Sequence, residues 1–209
     1  MSVKIAYNKW AAIYDSNENK TRDAEAFALR DLLADISFET CLEIGCGTGK
    51  NTAWLANKAV KVTAVDFSNE MLLKAKEKLT ALNISFIEAD ITKDWHFVNK
   101  KYDLVGFSLV LEHFEEIDTI AEKVTSVTKS GSYLYIGELH PFKQYMGSKA
   151  RFKNDVGEEE VLTCYTHHFS DYTKAIIKNG FQLLKLKEYF DENNRAELPR
   201  IIGMLFRKN

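Results

Sequence analysis

Short apolar, β-branched runs alternate along this chain with segments long enough to form helices, and this alternation most constrains its fold. The pattern predicts strands at Cys41–Ile44, Lys61–Val65, Ile84–Glu88, Asp103–Phe107 and Ser132–Gly137. Between them it predicts helices at Lys50–Lys58, Asn69–Leu82 and Glu115–Lys129. Strands joined through helices form crossover units, which give a mainly parallel sheet covered on both faces. The fold class is therefore predicted to be α/β.

The last third of the chain has a different pattern. A helix is predicted near Ser170–Asn179, with Ser170 as its N-cap, and two long extended runs follow it at Phe181–Phe190 and Ile201–Arg207. Only a polar turn at 191–194 and a short stretch separate these runs, which is typical of an antiparallel hairpin. We therefore predict a single doubly wound, seven-stranded, mostly parallel, Rossmann-like sheet whose edge is closed by an antiparallel C-terminal hairpin strand.

Composition and charge limit the classes of protein. The 209 residues are 45% hydrophobic and 28% charged, which is close to globular averages and suits one domain over 1–209. The 28 basic and 30 acidic residues give a net charge of −2, which disfavours nucleic acid as a partner. Neither a signal peptide nor a run of about 20 apolar residues is found, so no membrane partner is expected. Oligomeric state is left open between monomer and homodimer.

Cysteine and histidine spacing bears on redox compartment and metals. Cys41, Cys46 and Cys164 lack the close spacing of a zinc or redox site, and a reducing, cytoplasmic location is expected. His167 and His168 are adjacent but have no third ligand at metal spacing, so no metal is expected.

A glycine-rich turn and a carboxylate point to a nucleoside-containing cofactor. The turn, Gly45 to Gly49, follows a predicted strand and precedes a helix, where glycine allows positive φ and the helix start offers N–H groups. Asp66 ends the next strand, 21 residues after Gly45, where a carboxylate can accept both hydroxyls of a ribose. Taken separately, the turn could be a tight strand-to-helix connection, and Asp66 could belong to a helix cap with Ser68.

The glycine spacing discriminates between cofactors. The dinucleotide fingerprint is GxGxxG, whereas this turn is GxGxG, with Lys50 where the third dinucleotide glycine would stand. The spacing therefore disfavours a nicotinamide or flavin cofactor.

Four segments together resemble successive motifs of the class I S-adenosylmethionine-dependent methyltransferases. They are 43–49 (EIGCGTG), 65–68 (VDFS), 88–91 (EADI) and 102–105 (YDLV), in the family's order and spacing. The resemblance extends over Ala6 to Lys208 and includes the terminal hairpin. It implies S-adenosyl-L-methionine as cofactor and S-adenosyl-L-homocysteine as product.

The resemblance also implies which residues bind this cofactor. The residues expected at the methionine end of the cofactor and beneath its ribose are Glu43, Gly45, Cys46, Gly47, Ser108 and Arg22. Asp66 is expected to bind the ribose hydroxyls. The adenine is expected to contact Phe67, Met71, Asp90 and the backbone of Ile91. Asp90 alone could also be an ordinary turn residue.

Candidates for handling the methyl acceptor follow the fourth and fifth strands. A sulfonium methyl group is already activated for transfer. The protein therefore needs mainly to hold the acceptor nucleophile in line with the methyl–sulfur bond and to remove any acidic proton from it. His113 and His140 could act as general bases near neutral pH. We favour His140, which ends a strand and precedes Pro141, as base or substrate-positioning residue; His113 could instead pair with Glu115 or Glu116 at a helix entry.

Two further segments are predicted to lie over the site. Residues 1–20 resemble the lid helix of small-molecule methyltransferases, with Tyr14 toward the reactive end; ordinary packing of an amphipathic helix is the alternative. Residues 142–168 form a long connection rich in aromatic and basic side chains, predicted to be a substrate-side insertion over an aromatic or anionic acceptor. Alternatively, this insertion is a solvated loop whose bases balance Asp155 and Glu158–Glu160.

The predicted activity is therefore methyl transfer to a small molecule at oxygen, nitrogen or carbon. The segment Ser108 to Leu111 is not the Asn-Pro-Pro-Tyr motif that grips planar amino nitrogens, which disfavours DNA and protein amino groups. The alternatives are an RNA or protein methyltransferase, a nicotinamide-dependent oxidoreductase, and a non-catalytic module that binds the same cofactor.

Overall fold

A computed structural model describes residues 3–16, 18–98, 100–153 and 157–209, with only the backbone of Lys153. Residues 1, 2 and 17 of the predicted lid and residues 154–156 of the predicted insertion, Asp155 among them, lie outside this description. The helices are α1 Val3–Trp10, α2 Lys20–Leu32, α3 Lys50–Lys58, α4 Asn69–Lys78, α5 Asp118–Ser126, α6 Pro141–Tyr145 and α7 Phe169–Lys178. The strands are β1 Thr40–Ile44, β2 Lys61–Asp66, β3 Ile84–Glu88, β4 Tyr102–Ser108, β5 Thr128–Leu139, β6 Arg151–Lys153, β7 Glu159–Val161, β8 Phe181–Tyr189 and β9 Ile201–Lys208.

The main sheet has seven strands in the order β3-β2-β1-β4-β5-β9-β8. The first five strands in this order are parallel to one another. Strand β9 lies between β5 and β8 and is antiparallel to both. The predicted α/β fold, with its antiparallel terminal hairpin at one edge, is confirmed. The strand order reverses direction between β1 and β4, and ligands of such sheets bind at the carboxyl ends of the strands beside this point.

Two helices end earlier than predicted. The helix predicted to reach Leu82 stops at Lys78, and Leu82 is fully exposed. The helix predicted over Glu115–Lys129 covers only Asp118–Ser126, because Thr128 pairs with Tyr102 of β4 at the start of a 12-residue strand. At the end of α5, the hydrogen bonds of the sheet outweigh the local helix propensity.

Side-chain caps fix where two helices begin, and both matter for the site. Asn19 Oδ1 accepts from the backbone N–H groups of Thr21 and Arg22, each at 3.0 Å, which starts α2. Ser68 Oγ accepts from Met71 N at 3.2 Å and starts α4, as predicted. The cap of α7 is His168 rather than the predicted Ser170, because Asp171 Oδ2 accepts from the His168 N–H at 2.8 Å.

The core lies on both faces of the sheet, as a doubly wound fold requires. One face packs α5 and α7 around Phe107, and the other packs α2 around Tyr135. A third, smaller cluster joins α1 to the insertion, with Trp10 stacked on Phe152 at a centroid distance of 5.3 Å. Helix α1 is therefore held over the sheet edge by a segment far along the chain.

Within the part of the chain that the structure describes, no helix is long and apolar enough to cross a bilayer.

Candidate active site

A cavity of about 480 Å³ lies at the carboxyl ends of the parallel strands, beneath α1. Ten predicted cofactor residues line it: Glu43, Gly45, Cys46, Gly47, Asp66, Phe67, Asp90, Ile91, Ser108 and Arg22. Tyr7, Tyr14 and His113 close its inner side. The structure thus brings together residues spread over more than half of the chain.

The floor of the cavity is the glycine-rich turn. Gly45 and Gly47 have φ values of 71° and 53°, in the left-handed region that favours glycine. The backbone N–H groups of Gly45 and Cys46 both donate to Val65 O, at 2.8 and 3.0 Å, which ties the turn to the end of β2. The turn is therefore a tight connection and also the wall of a ligand-sized space.

Asp66 links this turn to the start of α4. One carboxylate oxygen accepts from Gly47 N at 2.8 Å and the other accepts from Ser68 N at 2.9 Å. Burial raises the pKa of Asp66 to about 6, despite these hydrogen bonds. The carboxylate thus has both the capping role and the cavity-facing position considered from the sequence.

Two buried glutamates lie near the opposite end of the cavity. Glu43 accepts from Thr52 Oγ1 at 2.5 Å, and Glu25 accepts from Asn51 Nδ2 at 2.7 Å and from the Tyr135 hydroxyl at 2.9 Å. Burial raises the pKa of Glu25 to about 7, and burial together with the charge of Glu25 raises that of Glu43 to about 8. Buried carboxyl groups with raised pKa values favour binding of a cation, which would replace their protons.

The end of the cavity near β3 is formed by Phe67, Asp90 and Ile91. Asp90 Oδ1 accepts from Thr92 N at 2.9 Å and from Thr92 Oγ1 at 2.7 Å. Burial acts to raise the pKa of Asp90, but these hydrogen bonds bring it below its usual value. Asp90 is therefore an ionised acceptor that already shapes the turn after β3.

Met71 lies outside this lining. Its side chain is fully buried and packs against α1 in the cluster with Ala6 and Trp10. The resemblance placed Met71 beside an adenine; the structure places it against α1.

The inner side of the cavity has a tyrosine–histidine pair. The Tyr7 hydroxyl lies 2.9 Å from His113 Nε2, while His113 Nδ1 lies 3.4 Å from Thr163 O. A proton on Nδ1, shared with that carbonyl, leaves Nε2 to accept from Tyr7. Burial lowers the pKa of His113 and raises that of Tyr7 well above its usual value, so both are neutral at pH 7.

Tyr14 and Arg22 meet beside this pair. The guanidinium carbon of Arg22 lies 4.0 Å from the centre of the Tyr14 ring, and Arg22 Nη1 donates to Tyr14 O at 2.6 Å. Burial raises the pKa of Tyr14 to about 12, although the Arg22 charge opposes this. Tyr14 is thus a neutral phenol at physiological pH.

His140 lies away from the cavity lining. Its Nδ1 accepts from Phe142 N at 3.2 Å, and its Nε2 lies 3.2 Å from Glu188 Oε1. Pro141 begins α6 directly after it, so the imidazole caps that helix and faces β8. Burial lowers its pKa despite Glu188. The structure therefore brings His113, but not His140, to the predicted site.

Comparisons with known proteins identify the family of this chain. Residues 41–131 match a family described as "Methyltransferase domain", over the glycine turn, Asp66, Asp90 and the strand before His113. The chain belongs to the class I S-adenosylmethionine-dependent methyltransferases.

This methyltransferase matches some relatives over most of their length and others over only part of it. It is 25% identical to an uncharacterized methyltransferase of Emericella nidulans, over 97% of this chain and 85% of that protein. It is 30% identical to a malonyl-[acyl-carrier protein] O-methyltransferase of Priestia megaterium, over 79% of this chain and 56% of that protein. A solved structure described as a DhpI-SAM-HEP complex has a TM-score of 0.77 and 21% identity, over 99% of each chain, and shows the shared fold.

The cavity residues of this methyltransferase that sequence reasoning missed include Glu25, Asn51 and Tyr7. Glu25 had a detectable signal, because it lies on the apolar face of α2 at helical spacing from Leu29 and Leu32. A charged residue on a buried face needs a polar partner, which the sequence cannot identify. Among the described residues no group of His, Cys, Asp and Glu suits a metal ion.

Proposed function

We propose that this methyltransferase binds S-adenosyl-L-methionine in the cavity beneath α1 and transfers its methyl group to an oxygen, nitrogen or carbon atom of a small molecule. S-adenosyl-L-homocysteine is then the product. The observation that carries the proposal is the position of α1, which covers the cavity while Tyr7 pairs with His113 across it. A covered cavity admits a small acceptor more readily than a folded polymer.

The residues present suit the cofactor. Asp66 offers a carboxylate for the ribose hydroxyls beside the bare backbone of Gly47, while Phe67, Asp90 and Ile91 surround the space for the adenine. At the other end, Glu43 and Glu25 suit an ammonium group. An unpartnered buried oxygen, Asn51 Oδ1, lies beside them among the described residues and can accept a hydrogen bond from such a group. The cofactor supplies a methyl group already activated by its sulfonium.

The acceptor needs a base only if its nucleophile carries an acidic proton. Neutral His113 can take that proton on Nε2, the atom that accepts from Tyr7 when no acceptor is bound. Tyr14 and Leu109 complete the wall that orients the acceptor. His140 has no role in this proposal, because its ring faces Glu188 instead.

We also propose that residues 1–209 act as one cytoplasmic domain, as monomer or homodimer, with 1–20 as lid and 142–168 as insertion. The packing of Phe152 and Leu162 against Trp10 supports a joint role for the lid and the insertion. The net charge of −2 supports a small-molecule acceptor over nucleic acid.

The experiment incubates the protein with methyl-labelled cofactor and a fractionated lysate of its host. We expect label among small molecules, lost in Asp66→Ala because the cofactor no longer binds. Glu77→Gln, on the exposed face of α4, is the control and should keep full transfer. Label in RNA or protein would contradict the small-molecule proposal.

The remaining alternatives are separated by calorimetry. Binding of S-adenosyl-L-methionine but not NADH is expected. The reverse result would favour an oxidoreductase, and tight cofactor binding without transfer to any acceptor would favour a non-catalytic module.

A further inference from the structure

A smaller cavity of about 120 Å³ lies next to the cofactor cavity and shares Tyr7, Tyr14 and Arg22 with it. Its other walls come from five parts of the fold: α1, the start of α2, the segment after β4, the end of β5, and residues 148–151 of the insertion. A group held here is separated from the larger cavity by Tyr7 and Tyr14, which line both cavities. The position suits part of an acceptor whose nucleophile reaches past Tyr7 and Tyr14.

This smaller cavity is rich in hydrogen-bond donors. Trp10 lines it and is 4% exposed, and its indole N–H has no acceptor among the described residues. Buried donors are nearly always satisfied in folded proteins, so an unpartnered indole N–H on a residue that lines a cavity is a candidate donor to a bound group. The Trp10 ring is held by its stack on Phe152, with 17° between the ring planes.

The charges around the cavity are mostly positive. Its lining includes Arg22, Lys149 and Arg151, against Glu112 as its single acid among the described residues. No carboxylate of the described residues lies within ion-pair distance of Lys149, whereas Arg151 lies 3.2 Å from Glu159. Lys149 thus brings an uncompensated positive charge to the cavity rim.

Glu112 offsets this positive charge only in part at neutral pH, and less as the pH falls. Its Oε2 accepts from Gln144 Nε2 at 3.1 Å, and burial raises its pKa to about 7. A protonated carboxyl group adds a further donor instead of a negative charge. The positive end of α2, which begins at Lys20 beside the cavity, acts in the same direction.

We propose that the smaller cavity binds an anionic group of the methyl acceptor, a carboxylate or a phosphate, through Trp10 and Lys149. The proposal rests on the proposed function and adds a substrate class to it: small acids whose nucleophile and anionic group are separated by a short linker. Both kinds of anion offer several acceptor oxygens and no obligatory donor, which matches the lining.

The test follows the indole N–H signals of the three tryptophans by NMR, in protein saturated with S-adenosyl-L-homocysteine. The Trp10 signal is identified by its absence in Trp10→Phe, which keeps an aromatic ring against Phe152. Inorganic phosphate and acetate are added separately at constant ionic strength. We expect the Trp10 signal to move saturably with at least one of them, and the stronger ligand identifies the kind of anion.

Two controls make the result specific. Trp95 Nε1 already donates to Ile91 O at 3.0 Å, so its signal should stay fixed. Lys149→Ala should weaken the affinity for the anion about tenfold, the loss expected for one charge-assisted hydrogen bond. Lys143→Ala is the matched control in the same segment, because Lys143 pairs with Asp191 at 3.6 Å and does not line the cavity.

Three results would overturn the proposal: a Trp10 signal that never moves, an equal shift with methylammonium, or unchanged affinity in Lys149→Ala. Calorimetry with S-adenosyl-L-homocysteine is performed first on the same sample. Failure of that step contradicts the proposed function, whereas normal binding with a fixed Trp10 signal contradicts only the anion site. With an acceptor in hand, Lys149→Ala should raise KM about tenfold and leave kcat nearly unchanged.

Discussion

Gly45 and Gly47 both require positive φ, but what surrounds them is different. A Cβ at Gly45 would lie 2.2 Å from Cγ2 of Val110, whereas one at Gly47 would meet none of the described atoms within 4 Å. We expect Gly47→Ala to lower the free energy of unfolding by about 1–2 kcal/mol, the cost of left-handed backbone for alanine. Gly45→Ala should cost clearly more, because Val110 or the turn must also move.

Urea denaturation measures this difference, and Gly45→Ala with Val110→Ala is its control. The double variant should recover most of the excess cost of Gly45→Ala. Gly47→Ala should instead weaken binding of S-adenosyl-L-homocysteine, because its methyl group occupies space on the cavity floor. Equal destabilisation by the two single variants would show that Val110 does not constrain the turn.

His113 and His140 give a matched pair for testing the base. We expect His113→Gln to lower kcat while binding of S-adenosyl-L-homocysteine is kept, for an acceptor with an acidic proton. Wild-type kcat should fall as pH drops below 6.5 toward the lowered pKa of His113, because a protonated ring cannot accept a proton. Measuring kcat against pH tests this expectation.

His140→Gln is the control for that profile. Since His140 contacts Glu188 rather than the cavity, its replacement should leave the acidic limb in place. An acidic limb that disappears in His140→Gln and persists in His113→Gln would reverse the assignment.

At the level of elements, α1 is fixed by its contact with the insertion. Eight residues are too few for a stable isolated helix, so α1 depends on tertiary packing such as the Trp10 stack on Phe152. We expect Phe152→Ala to accelerate hydrogen exchange of the α1 amides at least about tenfold and to weaken binding of S-adenosyl-L-homocysteine. Exchange measured by mass spectrometry reports on α1 directly.

Phe142→Ala is the matched control, because Phe142 is 50% exposed in the same insertion. Its replacement should change neither exchange in α1 nor cofactor affinity. Protected α1 amides in Phe152→Ala would show that α1 is held by other contacts.

The segment after β4 is a second element fixed by a distant residue. Leu109 has a φ of 57°, unusual for a leucine, and its N–H donates to Gly137 O at 2.8 Å. Glu138 Oε1 accepts from the N–H groups of Val110 and Leu111, at 3.0 and 2.8 Å. Strand β5 therefore sets the backbone that carries His113 into the cavity.

For the molecule as a whole, buried carboxyl groups predict how stability depends on pH. Burial raises the pKa of Glu25 and Glu112 to about 7 and that of Glu43 and Glu138 to about 8. Each group binds its proton more tightly when folded than when unfolded, so its contribution to stability falls as pH rises from its unfolded pKa toward its folded one. We expect the free protein to lose stability between pH 6.5 and 8, measured by thermal denaturation.

Below pH 6.5 the lowered pKa values of His113 and His140 make stability rise with pH, opposite to the effect of the glutamates. The test therefore uses the window between pH 6.5 and 8. Glu43→Gln should flatten the fall between pH 6.5 and 8, because the amide does not titrate. A wild-type stability that rises steadily across this window would contradict the raised pKa values.

The sequence by itself determined the sheet and most of the predicted cofactor residues that line the cavity. Strand runs, the glycine turn and Asp66 are local patterns, and parallel strands bring their carboxyl ends to one edge whatever their loops do. The length of α5 was predicted wrongly, because the pairing of Thr128 with Tyr102 competes with local helix propensity.

Only the tertiary structure decided which distant side chains meet at and around the cavity. Tyr7 and His113 are 106 positions apart, and Glu25 and Tyr135 are 110 apart, so no local pattern records that they meet. His113 and His140 both follow strands, yet one faces the cavity and the other faces Glu188. The free energy of packing whole helices and strands together sets such contacts, and it depends on many side chains that lie far apart in the sequence.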